Sequence, residues 1–572
     1  MAAGIVVLLV LGVAVSCLGT SGGGADVPVL ADGANAGVTG VRSPSTVQGG
    51  TLRVVAGEID SLDPQRSYLP GVWNLMRLYT RTLVSYGTRP GHTDELVPDL
   101  ATDLGRVSKD GLTWTFTLRP GAKFETGAPV TSRDIKYGIE RSFASDVIVG
   151  GPTHVVDLLD VPGNQYAGPY HDSSPGQLGL KTIETPDNNT IVFHLRTPQP
   201  DLPFVLALPS SSPVPAALDT RAAYGQHPVS SGPYVVTSVD PVAGIVLDRN
   251  KQWSRASDPI RTALPDRVVV RTGLSGLDRD QALLAGSADV DISGPGVQAA
   301  TTARMVTESS PLHKRSDDVT TGAVRLLALP SSVGPMGNPH CRAAGADAVD
   351  RGAAQNILGG TSAAVQVSRL WPGGVRGGPP DPVRGPDLAA ARKALQACGK
   401  PTGFSTSLAV ADIPANVALA GALSEQLGRV GIRASVKALD AATFYASDIG
   451  DPQNVTARGY GIVLTTWTAD FPTPDSFLAP LVDGRGIRSV GNSDYADVTD
   501  TAIEAQIDAA RAAGTGEAAL AHWRDVAAAA QRASSYVPLA EMRVQLLAGE
   551  RLHNGVAMQP YRGYDLATAG LR

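Results

Sequence analysis

Cysteine is almost absent from this chain: Cys17, Cys341 and Cys398 are the only three among 572 residues. No two form a CxxC pair, and no His/Cys cluster has metal-ligand spacing, which argues against a zinc-ribbon or a dithiol redox catalyst. The patterns HExxH and GxxxxGKS/T are also missing, so the commonest zinc-protease and nucleotide-hydrolase readings have no linear support. Charge is sparse, at 18% of residues with a net charge of −6, and lysine is scarce beside arginine. This leaves neither a nucleic-acid footprint nor a polybasic membrane patch, and the mild negative charge serves solubility. What is plentiful is apolar: 43% of a long chain is hydrophobic, enough for several domains or one large two-lobed body.

Residues 5–15 form one apolar run, too short to span a membrane but suited to the core of a signal peptide. The run ends Val13-Ala14-Val15-Ser16-Cys17, which resembles a bacterial lipobox with Ala14 where leucine is usual. That resemblance implies that residues 1–16 are removed and that Cys17 is lipidated, with more than one acyl chain needed for stable anchoring. The alternative is an ordinary signal peptide cut nearby. Residues 17–48 are rich in Gly, Ser, Ala and Pro without periodicity. They are expected to form a flexible tether holding the fold at the outer face of the membrane.

The stretch with the most chemical character is YGIVLTTWTADFPTPDSFLAPL, residues 460–481. Its first part alternates as a strand, with Ile462, Leu464 and Thr466 on one face and Val463, Thr465 and Trp467 on the other. The apolar run then stops at Asp470, Pro472 and Pro474, and proline cannot continue a sheet. An indole and a carboxylate at a strand end suit the wall of a ligand cleft. The same residues also suit a core tryptophan beside a solvated loop aspartate.

Elsewhere, turns and alternation recur. Asp110-Gly111 precedes Leu112, Trp114, Phe116 and Leu118, a half-buried strand, and Asp187-Asn188-Asn189 precedes another with Ile191, Phe193 and Leu195. Thr131 and Asp134 read as a helix capping box, followed by Ile135, Ile139 and Phe143 on one face. Residues 72–84 read as a helix with Leu75, Leu78 and Thr82 aligned. Asp387 caps a helix that Gly399 ends, and Leu419, Leu423, Leu427 and Val430 line another. Helices alternating with strands make the fold class α/β. Asp289 and Asp291 are expected at a solvated strand end, and His154, His171 and His194 as surface or packed side chains rather than metal ligands.

The ordered series GGTLRV, SLDP, LVPDLA and DGLTWTFTLRPGAKFETGAPVTSRDIKY resembles the extracellular solute-binding proteins of peptide- and nickel-type ABC importers. Gly232-Pro233-Tyr234-Val235, Arg249-Asn250-Lys251-Gln252-Trp253 and Tyr536-Val537-Pro538-Leu539 carry the resemblance toward the C-terminus, while residues 311–333 and 373–385 match poorly. It implies a periplasmic-binding-protein-like fold of two lobes joined by a hinge. Residues 49–82, 198–320 and 536–572 would form the first lobe, 83–197 a small accessory domain in it, and 321–535 the second lobe. It implies a binding component rather than an enzyme: a monomer without metal or cofactor that captures peptides and delivers them to a permease with ATPase subunits. Nickel chelates, haem and sugars are the family's other ligands, and a lipid-anchored extracellular enzyme is the rival of another class. By the same resemblance Asp470 meets a ligand ammonium beside Trp467, Thr466 and Thr468 offer backbone groups to it, and Tyr68 and Leu69 border it from the first lobe. Cys341 and Cys398, each on a family helix, are expected to form a disulfide, the alternative being two reduced thiols.

Overall fold

The computed structural model describes residues 30–31, 33–160 and 166–571; residues 1–16 and Cys17 lie outside them. Three sheets organise the molecule. The first-lobe sheet runs, in spatial order, through strands Tyr234–Asp240, Gly244–Arg249, Arg267–Arg271, Thr51–Val55 and Val290–Asp291. The second-lobe sheet orders Ala364–Gln366, Tyr536–Leu547, Ser316–Ala328, Ile462–Trp467, Ser405–Ala411 and Arg433–Leu439. A four-stranded sheet of Arg106–Val107, Thr113–Thr117, Thr190–His194 and Ile183–Glu184 forms the accessory domain. There Trp114 pairs with Phe193 and Phe116 with Ile191, so the two alternating runs put their apolar sides on one face. The mixed helix–strand architecture is α/β and two-lobed.

Two long strands pass between the lobes. Ser316–Ala328 and Tyr536–Leu547 pair antiparallel from Ser316↔Leu547 to Ala328↔Tyr536, with a register shift between Thr320 and Val324. At one end Val319, Val544 and Leu546 join the first-lobe core, and at the other Val324, Leu326 and Tyr536 join the second. The irregularity at Thr321 and Gly322, where Gly322 has φ +70°, falls between the two cores. A bulge at that place supplies the bend that separates the lobes.

Several expectations change on contact with tertiary structure. The helix read over residues 72–84 is only Pro70–Met76. Its continuation is prevented because the carbonyls of Leu78 and Tyr79 accept Tyr234, Ser231 and Gly232 amides instead. Gly232 fits there because a Cβ would lie 2.7 Å from the Leu78 oxygen. Residues 33–48, assigned to a free tether, are packed onto the first lobe. Arg42 donates to Asp317 from Nε at 3.1 Å and Nη2 at 2.9 Å, and Gly37 N donates to Asp317 Oδ1 at 2.7 Å. The buried Asp317 needs these donors, and burial still pushes its carboxyl upward. Asp289 is not solvated: it is fully buried and takes a forked contact from Arg53 at 3.1 and 2.7 Å. Asp291 pairs with Arg279 at 3.0 Å. In the second lobe Cys341 and Cys398 are disulfide-bonded, Cα atoms 5.3 Å apart, tying helix Pro339–Ala348 to the end of Leu388–Ala397.

Candidate functional site

The strand Ile462–Trp467 pairs antiparallel with the crossing strand, Trp467 opposite Val324 and Thr466 opposite Arg325, and parallel with Ser405–Ala411 only as far as Leu464. The chain then leaves the sheet and enters helix Pro474–Val482, which opens with proline and is capped by Thr473, whose hydroxyl accepts Ser476 N at 3.3 Å. The Ser476 hydroxyl accepts the amides of Asp470 at 3.1 Å and Phe471 at 3.4 Å, folding the loop onto the first helical turn. Phe471 anchors the other side. Its ring is buried in the accessory-domain core, stacked 5.9 Å from Phe204 and edge-on to His154 at 5.6 Å. Asp470 is therefore fixed from both directions at the junction of the two lobes.

Its carboxylate has two neighbours from across that junction. The Tyr68 hydroxyl donates to Oδ1 at 2.9 Å, and His154 Nε2 lies 3.0 Å from Oδ2, outside hydrogen-bond alignment. Tyr68 is itself placed by Asp60, which accepts Tyr68 N at 2.5 Å and the Ser67 hydroxyl at 2.8 Å. Trp73 packs edge-on against the Tyr68 ring at 5.8 Å, and its indole N–H donates to Ser67 O at 2.9 Å. Burial, reinforced by the charge of Asp470, pushes the Tyr68 phenol well above its ordinary value, so it stays a neutral donor. About 30% of the Asp470 side chain remains exposed.

That exposed part faces a cavity of about 210 Å³ lined from both lobes. Tyr68, Trp73 and Arg562 come from the first lobe, and Gly374, Thr468 and Asp470 from the second. At Gly374 a Cβ would come within 1.7 Å of Gln559 Nε2, so a side chain there would require the Gln559 amide to move. Of the residues singled out in the sequence, Asp470, Tyr68 and Thr468 converge here. Trp467, Thr466 and Leu69 do not line this cavity. Trp467 packs against the second-lobe core and donates from Nε1 to Phe477 O at 2.8 Å, so it braces the helix behind Asp470. Thr466 is engaged in the sheet, and Leu69 packs on the first-lobe core while its carbonyl accepts the Val72 and Trp73 amides. Sequence reasoning missed Arg562, Gly374 and the placement of His154. The other two histidines sit on exposed carboxylates, His171 on Asp146 at 2.9 Å and His194 on Glu184 at 3.2 Å. Among the described residues no group of three His, Cys, Asp or Glu side chains is placed to hold a metal.

Two further contacts join the lobes. Arg376 reaches Asp94 with Nε at 2.7 Å and Nη2 at 2.8 Å, and Glu95 at 2.9 Å. Arg376 is half exposed, so its removal in Arg376→Ala is expected to lower stability by about 1 kcal/mol or less. Melting measured at low and high salt checks this, because the loss should shrink as salt screens the pair. The Thr473 hydroxyl donates to Asp201 across the junction. Burial, and then the charge of Asp475, pushes the Asp201 carboxyl up to about 7. Burial likewise pushes Glu140 and Asp494 up to about 8. Each binds its proton more tightly folded than unfolded, where a carboxyl titrates near about 4. Their stabilising contribution is therefore complete below about pH 4 and lost as pH rises through about 7 to 8. The melting temperature is expected to fall from pH 5 to pH 8.5, and Asp201→Asn, which cannot titrate, to flatten that slope.

The chain matches the family model described as bacterial extracellular solute-binding proteins, family 5 middle, over residues 95–489. Among curated proteins it is similar to the glutathione-binding protein GsiB of Salmonella paratyphi A (strain ATCC 9150 / SARB42), 24% identical over 393 residues covering 66% of this chain and 67% of the relative. Among solved structures it is similar to clavulanic acid biosynthesis oligopeptide binding protein 2. That match has 37% identity and a TM-score of 0.89, covering 95% of this chain and 99% of the other. The unliganded open form of the periplasmic murein tripeptide binding protein MppA shares the fold at a TM-score of 0.75 and 18% identity, covering 93% of this chain and 98% of the other.

Proposed function

The chain belongs to family 5 of the bacterial extracellular solute-binding proteins, and from that premise we propose that it captures peptides with a free amino group between its lobes for delivery to an ABC permease. The family is one of extracytoplasmic binding proteins, not enzymes. The observation that carries the peptide reading is Asp470, a carboxylate held by both lobes with part of its surface open to the cavity.

A peptide amino terminus is a compact cation with three donors, and a carboxylate already oriented by Tyr68 accepts them by charge-assisted bonds. Thr468 beside it offers backbone groups to an extended ligand. The crossing strands serve as the hinge, so that ligand bridging the cavity favours the joined lobes. Micromolar affinity corresponds to roughly 8 kcal/mol, ample to shift such an equilibrium. The names of the oligopeptide- and glutathione-binding relatives support a peptide over a chelate, haem or sugar. Lipidation of Cys17 would keep the protein at the membrane face where its permease sits.

A thermal-shift screen of the soluble chain lacking only residues 1–17, which keeps the Arg42 contact to Asp317, tests the reading. Trialanine, reduced glutathione, a nickel chelate, haem and a disaccharide are run side by side. Peptides are expected to raise the melting temperature. A response to chelate, haem or sugar alone would retain the fold and reject the peptide.

A further inference from the structure

Arg562 stands out among the cavity residues. It follows the turn Gln559–Tyr561 with φ +51° and ψ +38°, a left-handed conformation that disfavours side chains other than glycine and asparagine. Its guanidinium makes no hydrogen bond or ion pair among the described residues, although it is only partly exposed. Arg77 pairs with Asp565, Arg81 with Asp99, Arg141 with Asp63 and Arg261 with Asp99, and buried Arg342 and Arg351 donate to backbone carbonyls; Arg325, in the crossing strand, is likewise partly buried without a partner among the described residues but does not line the cavity. Arg562 lines the cavity that Asp470 enters from the opposite lobe. Burial lowers its proton affinity while the charge of Asp470 opposes that, so the two charges sense each other without contact. The guanidinium nitrogens keep access to solvent and have their donors free for a ligand, and backbone strain retained at such a residue is a mark of function.

We propose that Arg562 receives an acidic group of the ligand, so that the cavity selects short zwitterions whose amine meets Asp470 on one lobe and whose carboxylate meets Arg562 on the other. This rests on the peptide reading above and adds the second pole. The planar fork of arginine matches a carboxylate better than lysine does. A cavity of about 210 Å³ favours a ligand small enough for both poles to engage at once. A ligand with one pole would contact one lobe by charge; a zwitterion contacts both, which couples recognition to the joining of the lobes.

The test is calorimetric titration of the soluble chain with trialanine, trialanine amide and N-acetyl-trialanine, in wild type, Arg562→Gln and Arg562→Lys. In wild type, amidation is expected to weaken binding about ten- to a hundredfold, the range for hydrogen bonds to a charged group. In Arg562→Gln the free acid should weaken similarly and the acid-to-amide ratio should fall toward one, while the penalty for acetylation persists because Asp470 is intact. Arg562→Lys should restore part of the ratio. A merely structural Arg562 would lower affinity for acid and amide alike and leave their ratio unchanged, which would overturn the proposal. Amide and acid binding wild type equally would overturn it too, with the peptide reading still standing. No binding of any of the three would reject the peptide reading itself.

Discussion

Asp470→Ala is expected to weaken peptide binding by about 2–5 kcal/mol, roughly thirtyfold to several-thousandfold in Kd. The size follows from what the ligand would face: an ammonium in a confined cavity, opposite Arg562, with no anion to receive it. Asp470→Asn should lose nearly as much, because the amide keeps the shape and the Tyr68 contact but not the charge. Folding should be little affected. The Asp470 pair with His154 is partly exposed on both sides, and such pairs contribute little. Titration of both variants, with melting curves as the control, checks this. Unchanged affinity in folded Asp470→Ala would remove the carboxylate from recognition.

The largest effect on stability is expected at Arg141. Its guanidinium is fully buried and forks onto Asp63 at 2.9 and 2.8 Å, with Nε donating to Asp219 at 3.1 Å and Gln65 accepting from Nη1. It also lies over the Tyr224 ring at 4.5 Å. The contact fastens helix Ser132–Arg141 of the accessory domain to the turn that leads into Tyr68. Arg141→Met keeps the volume but leaves two buried carboxylates without a cation, and removing one partner of such a cluster costs about 3–5 kcal/mol. Calorimetry should show the unit containing the accessory domain melting earlier. Restoring neutrality with Asp63→Asn in the same chain should recover part of the loss. An unchanged melting profile for Arg141→Met would show that the cluster is not what secures the accessory domain.

Local features of this fold are written plainly in the residues. The capping box at Thr131 and Asp134 forms with Thr131 N donating to Asp134 at 2.8 Å, and Asp387 caps its helix through the Ala389 and Ala390 amides. Periodicity also held the answer for Trp467. It shares a strand face with Val463, and Val463 is buried in the second-lobe core, so the indole belongs to the core side and not to the cavity. The site itself is less legible because it is assembled from afar. Tyr68 and Asp470 are 402 positions apart, and neither His154 nor Arg562 sits in a pattern that announces its partner. Charge pairing across domains leaves no trace in local spacing; only the fold brings those side chains together. The same limit explains residues 33–48, whose anchoring depends on Asp317 far along the chain.

The most direct test is calorimetric titration of the wild-type soluble chain with one peptide in two forms, differing only in acetylation of the amino terminus. If Asp470 is the receptor for a free amine, the free peptide binds in about the micromolar range or tighter and the acetylated copy binds at least about thirtyfold more weakly. Equal affinity for the two forms would contradict the account, since the ligand would then be held without the charge for which the junction of the lobes is built.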